Sequence, residues 1–156
     1  MLYETEQQRD ERFMAVALQE AAQAASLGEV PVGAVIVHDG QIVGRGHNLT
    51  ERLHDVTAHA EMQAVTSAAA TLGGKYLQDC TLYVTVEPCL MCAGALGWAQ
   101  VSRVVFGTPD PRRGYSSLTT RSGARSPLHP KAVVASGILE DQCRAIMQEF
   151  FRIRRK

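Results

Sequence analysis

From about residue 8 to 26, Phe13, Ala17, Leu18, Ala21 and Ala25 recur near the spacing of one helical face, which predicts an amphipathic helix stopped near Gly28. The pattern then changes. Gly33-Ala34-Val35-Ile36-Val37 is a β-type run, and Asp39-Gly40 predicts a tight hairpin turn into Gln41-Ile42-Val43-Gly44. Thr57 is a good capping residue and predicts the start of a second helix, carried by Met62, Val65, Ala69 and Leu72 to Gly73-Gly74. Thr81–Val86 is rich in β-branched and aromatic residues and predicts a strand. Pro88 suits the first turn of a helix reaching about Trp98. Val101–Phe106 and Ala132–Ala135 predict two more strands, and about Glu140 to Arg154 a closing helix.

Helices alternating with strands after an initial hairpin predict a mixed sheet covered by helices, the α/β class. Residues Thr108 to Lys131, rich in Pro, Gly, Ser and Arg, read as a long loop, a kind of segment that is usually functional or mobile. Neither a repeat nor a boundary interrupts the pattern, so residues 1–156 read as one domain, long enough to bury a core without staples.

Composition narrows the function classes. No apolar run approaches the length of a membrane helix, and the polar start MLYETEQQRD has no apolar signal region, so the expected compartment is the cytoplasm, without membrane contact. There, Cys80, Cys89, Cys92 and Cys143 are expected as ligands or small buried hydrophobes rather than disulfides. The 16 basic and 16 acidic side chains cancel, which argues against strong non-specific binding of nucleic acid. The basic residues are nevertheless clustered: Arg112-Arg113, Arg121, Arg125 and the terminal Arg152-Ile153-Arg154-Arg155-Lys156. Such a terminus suits either a solvated helix end or an RNA contact.

The chemistry concentrates in Thr57-Ala58-His59-Ala60-Glu61 and Glu87-Pro88-Cys89-Leu90-Met91-Cys92. One imidazole and two thiolates provide three zinc ligands, leaving a fourth position open as catalytic sites do, and Glu61 is a spare carboxylate for acid/base work. Cys89 and Cys92 are three apart at a helix start, on one face, where unpaired N–H groups favour thiolates. A strand followed by C-x-x-C and a helix also fits a thioredoxin-like redox pair; His59 and Glu61 tip the balance to a metal. His59 and Glu61 are two apart, on opposite sides of an ideal helix, so both can serve one site only if the metal lies off the helix's N-terminal end. His38, His47, His54 and His129 lack such company and read as surface or hydrogen-bonding residues.

His-x-Glu followed by Pro-Cys-x-x-Cys is the signature of the zinc-dependent nucleobase deaminases. On these residues the chain resembles the cytidine deaminase-like superfamily, and more narrowly its bacterial tRNA adenosine deaminases. Glu29–Val35, Gly46-His47-Asn48, Thr57–Met62, Thr81–Thr85, Glu87–Gly94, Arg103–Gly107 and Glu149-Phe150-Phe151-Arg152 extend the likeness over about residues 9–155. The resemblance implies a three-layer α/β/α sandwich around a mixed, about five-stranded sheet. It also implies one Zn2+ per subunit on His59, Cys89 and Cys92, and hydrolytic conversion of adenosine to inosine at the first anticodon position of tRNA.

In that implied reaction Glu61 takes a proton from the attacking water, passes one to the ring nitrogen and then protonates the departing amine. Asn48 would hold the ribose or base, Val32 would form pocket wall, and backbone groups around Ala60 and Glu87-Pro88 would meet the amino group. Asp110, Arg112 and Arg113 would flank the pocket, with Phe151, Arg152 and Arg155 on the anticodon loop, whose reacting base must leave its stack. A homodimer is also implied, with the Gly97-Trp98 region as the expected interface. Phe150 continues the apolar stripe Leu139, Cys143, Ile146, Met147 and is expected in the core, while Phe151 at its edge fits core or contact.

The chain departs from the family pattern in three places. Pro111-Arg112-Arg113-Gly114-Tyr115-Ser116-Ser117 follows Asp110 where a Lys-Thr-Gly-Ala-Ala-Gly-Ser run is usual, Ser126–Pro130 diverges, and Gly97-Trp98-Ala99 replaces a more polar segment. These changes spare the chemistry and fall on the expected RNA-contacting surface and, at Gly97-Trp98, on the expected dimer interface. Two other functions compete: a deaminase of a free nucleobase or nucleoside such as guanine, cytosine or adenosine, and a non-catalytic zinc-stabilised binding module that would not need Glu61.

Overall fold

The computed structural model describes residues 3–154. Helix α1 (Glu6–Ser26) starts at a capping box in which the Thr5 hydroxyl accepts from the Gln8 N–H and the Gln8 side chain accepts from the Thr5 N–H. Strands β1 (Gly33–His38) and β2 (Gln41–His47) form the expected hairpin, followed by α2 (Ala60–Leu72), β3 (Cys80–Val86) and α3 (Leu90–Trp98). Then come β4 (Arg103–Thr108), α4 (Tyr115–Ser122), β5 (Val133–Ser136) and α5 (Glu140–Arg154).

The sheet order is β2-β1-β3-β4-β5. β1 is antiparallel to both neighbours, and the β3-β4-β5 side is parallel, so the sheet is mixed as expected. Alternation along each strand feeds two cores. Leu82 and Val84 join Ala60, Ala64, Ala68, Ala93 and Leu96 from α2 and α3 on one face. Tyr83 and Val105 join Phe13, Met14 and Ala17 from α1 and Cys143 from α5 on the other. Three layers result, with the site-bearing helices α2 and α3 on the same side.

Close approach fixes α2 on the sheet. A Cβ on Gly44 would meet the Ala64 carbonyl oxygen at 2.4 Å, and one on Gly46 the Ala60 carbonyl oxygen at 2.4 Å, so only glycine lets strand and helix backbones touch.

Several boundaries differ from those expected. α2 is capped by His59, not Thr57; Thr57 instead donates its N–H and hydroxyl to the Asp55 carboxylate in the preceding turn. α3 starts after Cys89, which leaves Pro88 just outside the helix rather than in its first turn. The strand expected at Val101 begins at Arg103, because the Val101 N–H bonds back to the Leu96 carbonyl at the end of α3. The long loop after Thr108 contains α4, whose Tyr115 is buried in the core. Phe150 is only partly buried: Arg154 stacks on its ring at 4.3 Å and Phe151 meets it edge-on.

Candidate active site

The extended backbone of His59 (φ −74°, ψ 157°) sets it at the N-cap of α2, and its side chain makes no capping bond, which leaves the imidazole free to face α3. Cys89 occupies the same position on α3 (φ −73°, ψ 172°), and Cys92 lies in that helix's first turn, fully buried. Two helix N-termini thus converge. The His59 Nδ1 lies 3.6 Å from the Cys89 Sγ and 3.4 Å from the Cys92 Sγ, and all three donors fall within 4.8 Å of one another. Tetrahedral zinc, with bonds of about 2.3 Å to sulfur and about 2.0 Å to nitrogen, sets those atoms roughly 3.5 Å apart. The donor set fits zinc in both chemistry and spacing.

The thiols share charge unequally. Hydrogen bonds from Cys92 and His59 hold the Cys89 thiol down to about 4, against the opposing effect of its burial. Cys92, bonded to Cys89 and buried, is pushed up. Glu61 sits in the first turn of α2 at 4% exposure, outside the three-donor cluster, and burial pushes its carboxyl up to about 7. A carboxyl in that range can both take and give a proton near neutrality.

These groups open into a cavity of about 1000 Å³. The walls include Val32, Asn48, Ala60 and Glu87, as expected, together with Asp110, Arg112 and Arg113 at one rim and Phe151 at another. The Asn48 N–H bonds to the Val32 carbonyl, and its side-chain Oδ1 is buried without a partner among the described residues, which leaves an acceptor for a ligand. Pro88 and Arg152 do not line the cavity. Pro88 contributes its carbonyl to the Tyr115 N–H, and Arg152 makes a bidentate bond to Glu149 on the exposed face of α5. Arg155 lies outside the described residues.

Sequence reasoning missed Arg144, Met147 and Gln148 of α5, which line the cavity with Phe151. Met147 was expected on the core-facing stripe with Ile146 and Phe150 and instead lines the cavity, where Arg144, Gln148 and Phe151 share its helical face. Sequence reasoning also missed Glu29, fully buried, whose oxygens accept the N–H groups of Glu51 at 3.0 Å and Arg52 at 2.8 Å. That bond pair anchors the loop bearing Thr50 and Val56, two further cavity residues.

Residues 7–108 match the family model for the cytidine and deoxycytidylate deaminase zinc-binding region. The chain belongs to this zinc-binding deaminase family. Within the family it is 44% identical, over 95% of its length and 92% of the relative's, to the tRNA-specific adenosine deaminase of Bacillus subtilis (strain 168). It is also 44% identical to the chloroplastic tRNA(adenine(34)) deaminase of Arabidopsis thaliana, matching 97% of the present chain but only 13% of that much longer protein. A solved structure from studies of A-to-I editing by tRNA:A34 deaminases at the wobble position superimposes with a TM-score of 0.80 at 41% identity, covering 86% of this chain and 98% of the other. The guanine deaminase of Bacillus subtilis is more distant, with a TM-score of 0.61 at 35% identity over 73% of this chain and 70% of its own.

Proposed function

We propose that this chain is a zinc-dependent hydrolase that converts adenosine to inosine at the wobble position of a tRNA. The observation that carries the reading is the position of the His59-Cys89-Cys92 cluster and Glu61 in a cavity rimmed by Arg112, Arg113 and Phe151. Its volume is at the upper end of the range for small-molecule pockets, about 300–1,000 Å³, which suits a base that arrives with its neighbours. Identity of 44% to a tRNA-specific adenosine deaminase over nearly the whole of both chains supports the same substrate.

Zinc, when bound, supplies a nucleophile at neutral pH by lowering the pKa of water. The chain's own residues manage protons and position. Glu61 accepts one water proton and passes it to the ring nitrogen beside the carbon under attack, then takes the remaining proton from the new hydroxyl and delivers it to the amine as the carbon–nitrogen bond breaks; ammonia leaves and inosine remains. The unpartnered Asn48 Oδ1 accepts from the base or ribose, and Val32 flanks the ring. Backbone groups of Ala60 and Glu87, both in the cavity wall, face the amino group, whereas the Pro88 carbonyl is taken by Tyr115. Arg112 and Arg113 meet the phosphates, Phe151 offers a stacking face for a splayed loop base, and the basic Arg155 strengthens the attraction, whereas Arg152 is held by Glu149.

We further read the enzyme as a cytoplasmic homodimer. Trp98 is 86% exposed at the C-terminal end of α3, an apolar surface that a second copy would cover. No helix among the described residues is long and apolar enough to cross a membrane.

A second reading, deamination of a free base, is favoured by the balanced net charge and by the likeness to a guanine deaminase. Ammonia release from zinc-loaded protein separates the two. Turnover of an adenosine-bearing anticodon stem-loop, with none of free adenosine, guanine or cytosine, is expected. Turnover of a free base alone would overturn the tRNA reading and keep the zinc chemistry.

A further inference from the structure

Glu87 is 5% exposed and two residues from a metal donor, and its carboxylate is engaged by the segment that follows β4. One oxygen, Oε1, accepts the Asp110 N–H at 3.1 Å. The other, Oε2, accepts the Ser116 N–H at 3.0 Å and the Ser116 hydroxyl at 2.5 Å. Three donors from two ends of one loop therefore converge on a single buried side chain. The turn between them is closed by its own bonds: the Asp110 carboxylate accepts from the N–H groups of Arg112 and Arg113, and the Gly114 N–H bonds to the Asp110 carbonyl.

The contact extends to the metal-bearing loop. Gly114 pairs with Cys89 in an isolated β-bridge, and the Tyr115 N–H donates to the Pro88 carbonyl. Gly114 is packed so tightly on the clamp that a Cβ there would lie 2.3 Å from Glu87 Oε1. Asp110, Arg112 and Arg113 line the cavity. Their position relative to the zinc donors therefore depends on Glu87.

We propose that Glu87 is a positioning residue that, with Ser116, fixes the Asp110–Arg113 rim over the metal cluster and so sets how the flanking nucleotides of the substrate are held. Its action is on substrate binding and reaches the chemistry only through the rim. The Glu87 carboxylate itself is buried while its donors lie nearer the surface, so removing one donor leaves the carboxylate short of a partner and loosens the loop. This inference rests on the tRNA reading for the identity of what the rim holds.

The test pairs Ser116→Ala, a small change remote from the reacting atoms, with Glu87→Gln, read on an anticodon stem-loop and by amide hydrogen exchange. For Ser116→Ala, KM should rise roughly tenfold while kcat stays within about threefold. Exchange of the 109–117 amides should quicken while that of α2 is unchanged. Glu87→Gln should show the same pattern more strongly, with zinc content retained. Unchanged exchange in that loop, or a loss confined to kcat with KM unmoved, would overturn the proposal. Should the wild-type protein turn over only a free base, the tRNA reading fails separately; faster 109–117 exchange would then still support the clamp, and unchanged exchange would still overturn it.

Discussion

His59 lies just outside α2 as its N-cap, and Glu61, two positions later, lies inside the helix's first turn. That offset lets one imidazole join the two thiols while the carboxylate stays out of the donor cluster. On a continuous helix the two side chains would point to opposite sides.

The division of labour predicts separable losses. Glu61→Gln should bind zinc at wild-type stoichiometry and lower kcat by roughly a thousandfold or more, at the upper part of what a lost general acid/base costs. Metal content by emission spectroscopy and single-turnover deamination would check it. Wild-type turnover in that variant would remove the proton shuttle from the mechanism.

Replacing a thiol has the opposite signature. Cys92→Ala should lower bound zinc well below one per chain and abolish turnover, because among the described residues three protein donors form the site and the loss of one leaves two. Chelation of the wild-type protein should give the same inactive state, reversed by adding zinc back. An active, metal-free Cys92→Ala protein would overturn the assignment of Cys92 to a catalytic metal site.

Phe151 is 41% exposed and lines the cavity, so Phe151→Ala should weaken stem-loop binding by about 1–3 kcal/mol with little change in salt dependence. Removing residues 152–156 should do the reverse, giving a modest loss and a shallower slope of affinity against salt. Titrations at several ionic strengths distinguish the two. An unaltered slope after truncation would mean that the basic end is only solvated.

On the far side of the sheet, Asp10 accepts the Tyr83 hydroxyl at 2.8 Å and both Arg103 guanidinium nitrogens at 2.7 Å. Burial works to raise its pKa, but the Arg103 and Tyr83 bonds outweigh it and hold the carboxyl below the ordinary value. Stability from this group is therefore fully present above the unfolded-state value of about 3.9 and is lost as pH falls through the lower folded-state value. Asp10→Asn should flatten that acid limb and cost up to about 3 kcal/mol at neutral pH, since it leaves the largely buried Arg103 guanidinium to the exposed Glu6 carboxylate 3.4 Å away. Urea unfolding from neutral to acid pH would show both effects.

Much of this was legible in the chain. The Asp39-Gly40 hairpin, the β-branched strands and the Gly73 stop of α2 follow from local rules, and Gly73 does adopt φ +74°. His59, Cys89 and Cys92 were legible because ligand chemistry needs particular atoms at particular spacing. What local rules missed were competitions. Thr57 has a capping side chain, but Asp55 takes its donors first, and His59 becomes the cap by backbone geometry alone. α4 was hidden because its residues, Tyr115–Ser122, have weak helical preference and are held by the Glu87 clamp and the burial of Tyr115. Arg152 looked available and is instead tied to Glu149.

The glycine seat of α2 on β2 carries a final consequence. With Gly44 and Gly46 letting backbone rest on backbone, no intervening side chain can be enlarged or trimmed to slide the helix along the strand. The imidazole and the acid/base carboxylate inherit that immobility, whereas the rims hang on side-chain bonds from Glu29 and Glu87. Substrate preference can therefore drift by re-tailoring the rims while the reacting centre keeps its coordinates, and an engineered change of substrate should begin at those two carboxylates and leave the glycines untouched.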